Sequence, residues 1–143
     1  MDKLTDRDVG DILDRWSIAR LKSERIGEEE NHRENRAFTE KMKTVEEKYS
    51  GYDWNQFTKM MYDINSTIWC LEAAMKSGKE SLPNPHYLDD KANEEVLTSI
   101  GKNAILIRNI NGFRVGLKNI INKLLNQGFM DVKIDHMSVL GKK

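Results

Sequence analysis

The stretch from Ile100 to Leu125, IGKNAILIRNINGFRVGLKNIINKLL, constrains this chain more than any other. Wound at about 3.6 residues per turn, it puts Val96, Ile100, Ile107, Ile110, Leu117, Ile121 and Leu125 on one face. A stripe of that length must be covered by other elements, so the chain has to pack helices together. The same wheel places Asn103 and Arg114 inside the stripe and Asn111 and Lys118 at its edge. A guanidinium is costly to bury there unless it meets an anion or a set of acceptors. Either another helix supplies a carboxylate or a ligand does, and that choice is the functional question.

Three further helical patterns precede it. The first is expected to start near Thr5, where Thr5 and Asp8 have the spacing of a capping box. Its core stripe is Val9, Ile12, Leu13, Trp16 and Ala19, with Ile18 and Leu21 on another side and a charged stripe of Asp11, Asp14, Arg15, Lys22 and Arg25 between them. Gly27 is expected to end it. Glu28 to Tyr49 forms a second, very polar helix whose few apolar residues, Phe38, Met42 and Val45, keep helical spacing; Ser50-Gly51 breaks it.

The third pattern is the cleanest. Asp53 and Gln56 give a capping signal, and Trp54, Phe57, Met61, Ile64, Ile68, Leu71 and Met75 then alternate three and four apart, a packing seam. Tyr62, Asn65, Trp69 and Glu72 form a second stripe beside it, and Glu72 is a natural carboxylate for Arg114. Gly78 is expected to close this helix, and Lys79 to Asp90, with Pro83 and Pro85, to form a loop. The fourth helix is expected from about Ala92 to Asn126, ended by Gly128, with Gly101, Gly112 and Gly116 marking either close helix contact or room for a ligand. In the tail, 129–143, Met130, Val132 and Ile134 alternate with polar residues, as in a short strand.

Composition removes whole classes of function. Lys plus Arg and Asp plus Glu both number 23, so the formal net charge is zero. That argues against a nucleic-acid polymer or an anionic membrane as partner. Cys70 is the single cysteine, which excludes an internal disulfide and fits a reducing compartment; its place next to the seam suggests a buried thiol. MDKLTDRDVGD at the start is acidic and lacks an apolar run, and no apolar segment is long enough to span a bilayer. The expectation is a cytoplasmic protein, one helical domain over 1–143.

Catalytic machinery is not evident. His32, His86 and His136 lie in separate regions without paired His or Cys and read as surface residues. Glycine-rich phosphate loops and nucleophile elbows are lacking. Asp8, Asp11 and Asp14 recur every three residues and could hold Mg²⁺, as in all-helical pyrophosphohydrolases, if a second acidic pair faced them. The adjacent pairs Glu46-Glu47 and Glu94-Glu95 point different ways. What remains is a polar set of ligand-binding candidates: Asp14, Arg15, Lys22 and Arg25 on the first helix, Asn65, Trp69 and Glu72 on the third, and Asn111, Arg114 and Lys118, with Asn103, on the fourth. Basic groups in such a pocket suit phosphate or carboxylate, and Trp16, Tyr62 or Trp69 could stack on a base. The competing reading is a salt-bridge network of Asp14, Arg114 and Glu72 that fixes helix register.

GDILDRWSIARLKSERI (Gly10 to Ile26), IWCLE (Ile68 to Glu72) and NINGFRVGLKNIIN (Asn109 to Asn122) resemble three segments of an uncharacterised helical family of bacterial proteins: G-E-L-I-D-K-x-x-I-L-x-I-K-x-E-R-I, L-W-x-I-E and R-T-N-D-x-R-x-x-L-K-x-x-I-N. Asp14, Lys22, Glu72, Asn111, Arg114, Lys118 and Asn122 keep the family's residue; Arg15 replaces Lys, and Gly112 stands where the family has Asp. The resemblance implies a helical fold and marks this polar set without naming a reaction.

The expected architecture is all-α: a four-helix antiparallel bundle-like domain with a long fourth helix and a short irregular or strand-like tail. The apolar positions Ile18, Leu21, Tyr62 and Trp69 suggest a homo-oligomer. The expected function is non-enzymatic binding or sequestration of a small phosphorylated ligand, a nucleotide or nucleotide-derived signal, as a phage-type sponge of an immune signal would do. No cofactor is expected, and Mg²⁺ enters only with the hydrolase alternative; a structural or interaction module is the other alternative.

Overall fold

A computed structural model describes residues 8–80 and 91–126. They form four helices, α1 (Val9–Arg25), α2 (Glu29–Lys48), α3 (Trp54–Glu80) and α4 (Lys91–Leu124), an all-α bundle. The 81–90 segment, the tail and Gly128 lie outside the described residues, as do His86 and His136. Among the described residues no helix is long and apolar enough to cross a membrane.

Local chemistry sets the helix ends. Asp8, not Thr5, caps α1: its backbone is extended, with φ −75° and ψ 164°, and its carboxylate accepts from the Asp11 amide at 2.8 Å. Asp8 is therefore the cap itself rather than the third residue of a box begun at Thr5. At the other end Gly27 takes a φ of 75°, and its amide and that of Ile26 both donate to the Lys22 carbonyl, which stops the helix as the sequence suggests. Asp53 caps α3 through the Gln56 amide at 3.1 Å. Gly78 does not close α3, which continues to Glu80. Its missing side chain has a packing reason instead, since a Cβ there would lie 3.2 Å from Ile100 Cγ1.

The chain divides into two compact units, residues 8–65 with 112–126 and residues 66–80 with 91–111. In the first, all four helices contribute to one core: Val9, Ile12 and Leu13 of α1, Met42 and Val45 of α2, Trp54 and Met61 of α3, Leu117 and Ile121 of α4. Trp16, Phe57, Ile64 and Leu125 pack against it. Burying one such aliphatic side chain is worth roughly 1.5–3 kcal/mol, so this cluster is where folding free energy concentrates. The Trp54 indole also donates to the Tyr49 carbonyl at 2.8 Å, which locks the turn between α2 and α3.

The second unit is a pair of helical segments. Ile68, Leu71, Met75, Val96, Ile100, Ile107 and Ile110 are half-buried, and none of its described side chains is fully buried. Cys70 is exposed here, contrary to its expected burial, because it faces away from the three-and-four seam.

Candidate functional site

The first unit contains a buried polar seam where α1 meets α3 and α4. Asp14, on the second turn of α1, is 5% exposed. Its Oδ1 accepts from Asn65 Nδ2 at 2.9 Å, and the same amide donates to Ser17 Oγ at 2.6 Å. Ser17 in turn donates to the Asp14 carbonyl at 2.8 Å, closing a local network between α1 and α3.

The other carboxylate oxygen faces α4. Arg114 Nη1 lies 4.0 Å and Lys118 Nζ 3.9 Å from Asp14 Oδ2, and Lys118 also stands 3.6 Å from Asp11 Oδ1. These are ion pairs beyond normal hydrogen-bond length. Arg114 Nε is buried and has no hydrogen-bond partner among the described residues. About two turns beyond Arg114 on α4, Asn122 Oδ1 accepts from the Gly10 amide at 2.9 Å, while its Nδ2 is also buried without a partner among the described residues.

Gly10 is what lets α4 approach so closely. A Cβ on Gly10 would lie 2.7 Å from the Lys118 carbonyl oxygen and 3.0 Å from Asn122 Oδ1. Close helix contact, one of the two readings of Gly101, Gly112 and Gly116, falls at Gly10 instead; a Cβ at any of those three would meet nothing within 4 Å among the described residues.

The structure thus brings together Asp14, Asn65, Arg114 and Lys118, and adds Asp11, Ser17, Gly10 and Asn122. Arg15 sits at the margin, exposed and paired with Asp11 at 3.0 Å. Lys22 lies about 12 Å further along α1 than Asp14 and pairs with Glu34 of α2 at 3.8 Å. Arg25 is exposed in the last turn of α1. Trp69, Glu72 and Asn111 belong to the second unit, where Glu72 is exposed and Trp69 and Asn111 are half-buried. The carboxylate expected for Arg114 is therefore found on α1, as Asp14.

Sequence reasoning passed over Ser17 and the Gly10–Asn122 bond. A signal for Asn122 was present: Arg114, Lys118 and Asn122 recur every four residues, a polar ridge beside the Leu117–Ile121 stripe. Ser17 has no comparable signal.

The α1 carboxylates have other engagements. Asp8 caps the helix, Asp11 pairs with Arg15 and Lys118, and Asp14 holds Asn65. Among the described residues no group of three His, Cys, Asp or Glu is placed to hold a metal ion. Chemically the seam offers two cations, a buried acid hydrogen-bonded through one oxygen and, among the described residues, buried N–H groups lacking acceptors. The chain matches no protein-family model, no curated protein and no solved structure.

Proposed function

We propose that the Arg114–Lys118 pair binds an oxyanion of a small phosphorylated ligand, a nucleotide or nucleotide-derived signal, and that the protein sequesters this ligand without converting it. The observation that carries the reading is the partnerless, buried Arg114 Nε, together with a 4.0 Å ion pair that leaves the guanidinium charge-compensated but not hydrogen-bonded through Nη1 to Asp14. Leaving such an N–H unsatisfied costs about 1–3 kcal/mol, and a phosphate oxygen would remove that cost. Asp14, fixed by Asn65, would hold both cations in place until the ligand arrives. The same reading puts the protein in the cytoplasm as a homo-oligomer; Leu21, one of the positions expected to serve an interface, is instead buried within its own unit, Ile18, Tyr62 and Trp69 are half-buried, and the exposed Phe113 and Ile120 side chains of α4 offer apolar surface.

A thermal-shift screen of the purified chain tests it, using nucleotides, cyclic dinucleotides, ADP-ribose derivatives and sugar nucleotides with and without Mg²⁺. Ligand at about 100 times its dissociation constant should add roughly 2.7 kcal/mol of stability. Arg114→Ala should fold and lose the shift. An Arg114→Ala protein that binds as well as the original would sink the proposal, and Mg²⁺-dependent turnover would replace it with the hydrolase alternative.

The closed Asp14–Asn65–Ser17 network favours a second reading, in which the seam is internal glue for an interaction module. In that case no compound in the screen shifts the melting curve, and Arg114→Met folds at least as stably as the original.

A further inference from the structure

The first unit also has a cleft between α1 and α3. Trp16 and Arg20 of α1 and Thr58, Lys59 and Tyr62 of α3 line a cleft of about 220 Å³. It is distinct from the seam. Trp16 lies about 200° around α1 from Asp14, on the opposite side of the helix.

The centre of the cleft is Arg20. Its guanidinium carbon lies 4.8 Å from the Tyr62 ring centroid and 5.7 Å from that of Trp16. Glu24 fixes this arrangement. Its Oε2 accepts from Arg20 Nε at 3.1 Å, and its Oε1 accepts from the Tyr62 hydroxyl. Arg20 is thus anchored through Nε, and its two terminal amino groups have no acceptor among the described residues. Those groups are the planar fork that suits carboxylate and phosphate oxygens. Lys59 adds a second cation at the rim, where it pairs with Asp63 at 2.6 Å.

We infer that this cleft binds a planar aromatic or heteroaromatic anion, a single or fused ring carrying one carboxylate or phosphate. The Arg20 fork takes the oxyanion and Lys59 adds charge. The ring packs beside the Arg20 guanidinium against the parts of Trp16 and Tyr62 that Arg20 leaves uncovered, a contact open to any aromatic ring regardless of its substituents. Pockets for drug-sized ligands run about 300–1,000 Å³, so this smaller, half-open cleft covers about one ring system and its anionic group. Because the cleft shares no residue with the seam, it stands or falls separately from Arg114.

Titration of the full chain, followed through the indole N–H signals of its 3 tryptophans by ¹H–¹⁵N NMR, tests the inference. Benzoate, indole-3-carboxylate and AMP are the probes. Tryptamine has a similar ring with the opposite charge, and inorganic phosphate has the charge without the ring. The Trp16 signal should move saturably with the aromatic anions, the Trp54 signal should stay, and neither control should move Trp16 at the same concentration. Arg20→Gln should weaken binding by at least about tenfold and the exposed Lys59→Gln by about two- to fivefold, whereas Lys43→Gln, an exposed change on α2 outside the cleft, should bind as the original does. Tighter binding of the carboxylates assigns an aromatic acid and tighter binding of AMP a nucleotide; either supports the site. A Trp16 signal that stays put at millimolar probe overturns it, as does tryptamine binding equal to that of indole-3-carboxylate. Should Arg20→Gln fail to fold, undiminished binding by Lys59→Gln overturns it as well.

Discussion

Asn122 Oδ1 accepts a 2.9 Å hydrogen bond from the Gly10 amide, tying the first turn of α1 to the end of α4 across a sequence separation of 112 residues. The bond is possible only because Gly10 has no side chain. Gly10→Ala would press a Cβ to 2.7 Å from the rigid Lys118 backbone, and the helices would have to part. Overpacking of this kind costs about 1–3 kcal/mol, more than the roughly 1 kcal/mol that Ala gains over Gly in a helix. Gly112→Ala and Gly116→Ala meet no other atom within 4 Å among the described residues, so each should gain up to about 1 kcal/mol. Urea denaturation of the three variants checks the opposite signs. A Gly10→Ala protein as stable as the other two would remove close approach as the reason for this glycine.

Gly27 differs from Gly10 in what its hydrogen is for. Its φ of 75° is left-handed, while the nearest atom a Cβ would meet, the Ser23 carbonyl oxygen, is at an ordinary 3.6 Å. Gly27→Ala should therefore cost about 1 kcal/mol through backbone strain alone, and Gly27→Asn clearly less, because Asn tolerates this region. Equal denaturation midpoints for the two variants would show that the turn relaxes out of the left-handed conformation.

The periodic features of this fold were legible in the sequence, and its long-range polar partners were not. Three-and-four spacing is a local property, so it located Trp54, Met61, Leu117 and Ile121, all of which meet in the core. It also marked Arg114 as a guanidinium needing an anion. It could not say which helix brings that anion, because Asp14 and Glu72 both satisfy the same local rule; the fold places Asp14 there. Cys70 shows the same limit. Adjacency to a seam suggested burial, yet one residue is about 100° of rotation, and the thiol is exposed. Arg20 reads as one more charge on a charged helix: its Trp16 contact is a local pair four residues apart, but Tyr62 comes from α3, which no local rule reveals.

Asp14 and Asn65 should behave as a unit. Asp14→Ala removes the acceptor of the Asn65 amide and leaves Arg114 and Lys118 without their shared counter-charge, at a cost of about 2–4 kcal/mol. Asn65→Ala strips hydrogen bonds from both Asp14 and Ser17 and should cost about 1–3 kcal/mol. Because each change exposes the same lost bond, the double variant should be less destabilised than the two costs added, with a coupling of about 0.5–3 kcal/mol. Asp14→Asn keeps an oxygen for Asn65 but not the charge, so its smaller loss would measure the ion pairs alone. A double-mutant cycle by chemical denaturation decides, and strict additivity would mean that the Asn65 bond contributes nothing.

The Tyr62–Glu24 bond should leave its mark at both ends of the pH range. The Tyr62 hydroxyl, with help from Arg20 and against the opposing pull of burial, holds the Glu24 carboxyl below its ordinary 4.5. A depressed carboxyl contributes stability that is present above its unfolded value and is lost as pH falls through the folded one. In the other direction, the bond to Glu24, reinforced by burial, raises the Tyr62 hydroxyl above its ordinary 10.0. That contribution is present below 10.0 and is lost as pH rises through the folded value. Tyr62→Phe deletes the shared proton. Its alkaline arm should lose this component entirely, whereas its acid arm should flatten only in part, because Arg20 still holds Glu24. Denaturation midpoints of both proteins from roughly pH 3 to pH 11 separate these effects from the background of other groups. Curves that run parallel at both ends would mean that water replaces Glu24 as the partner of the hydroxyl in solution, leaving Glu24 held by Arg20 alone.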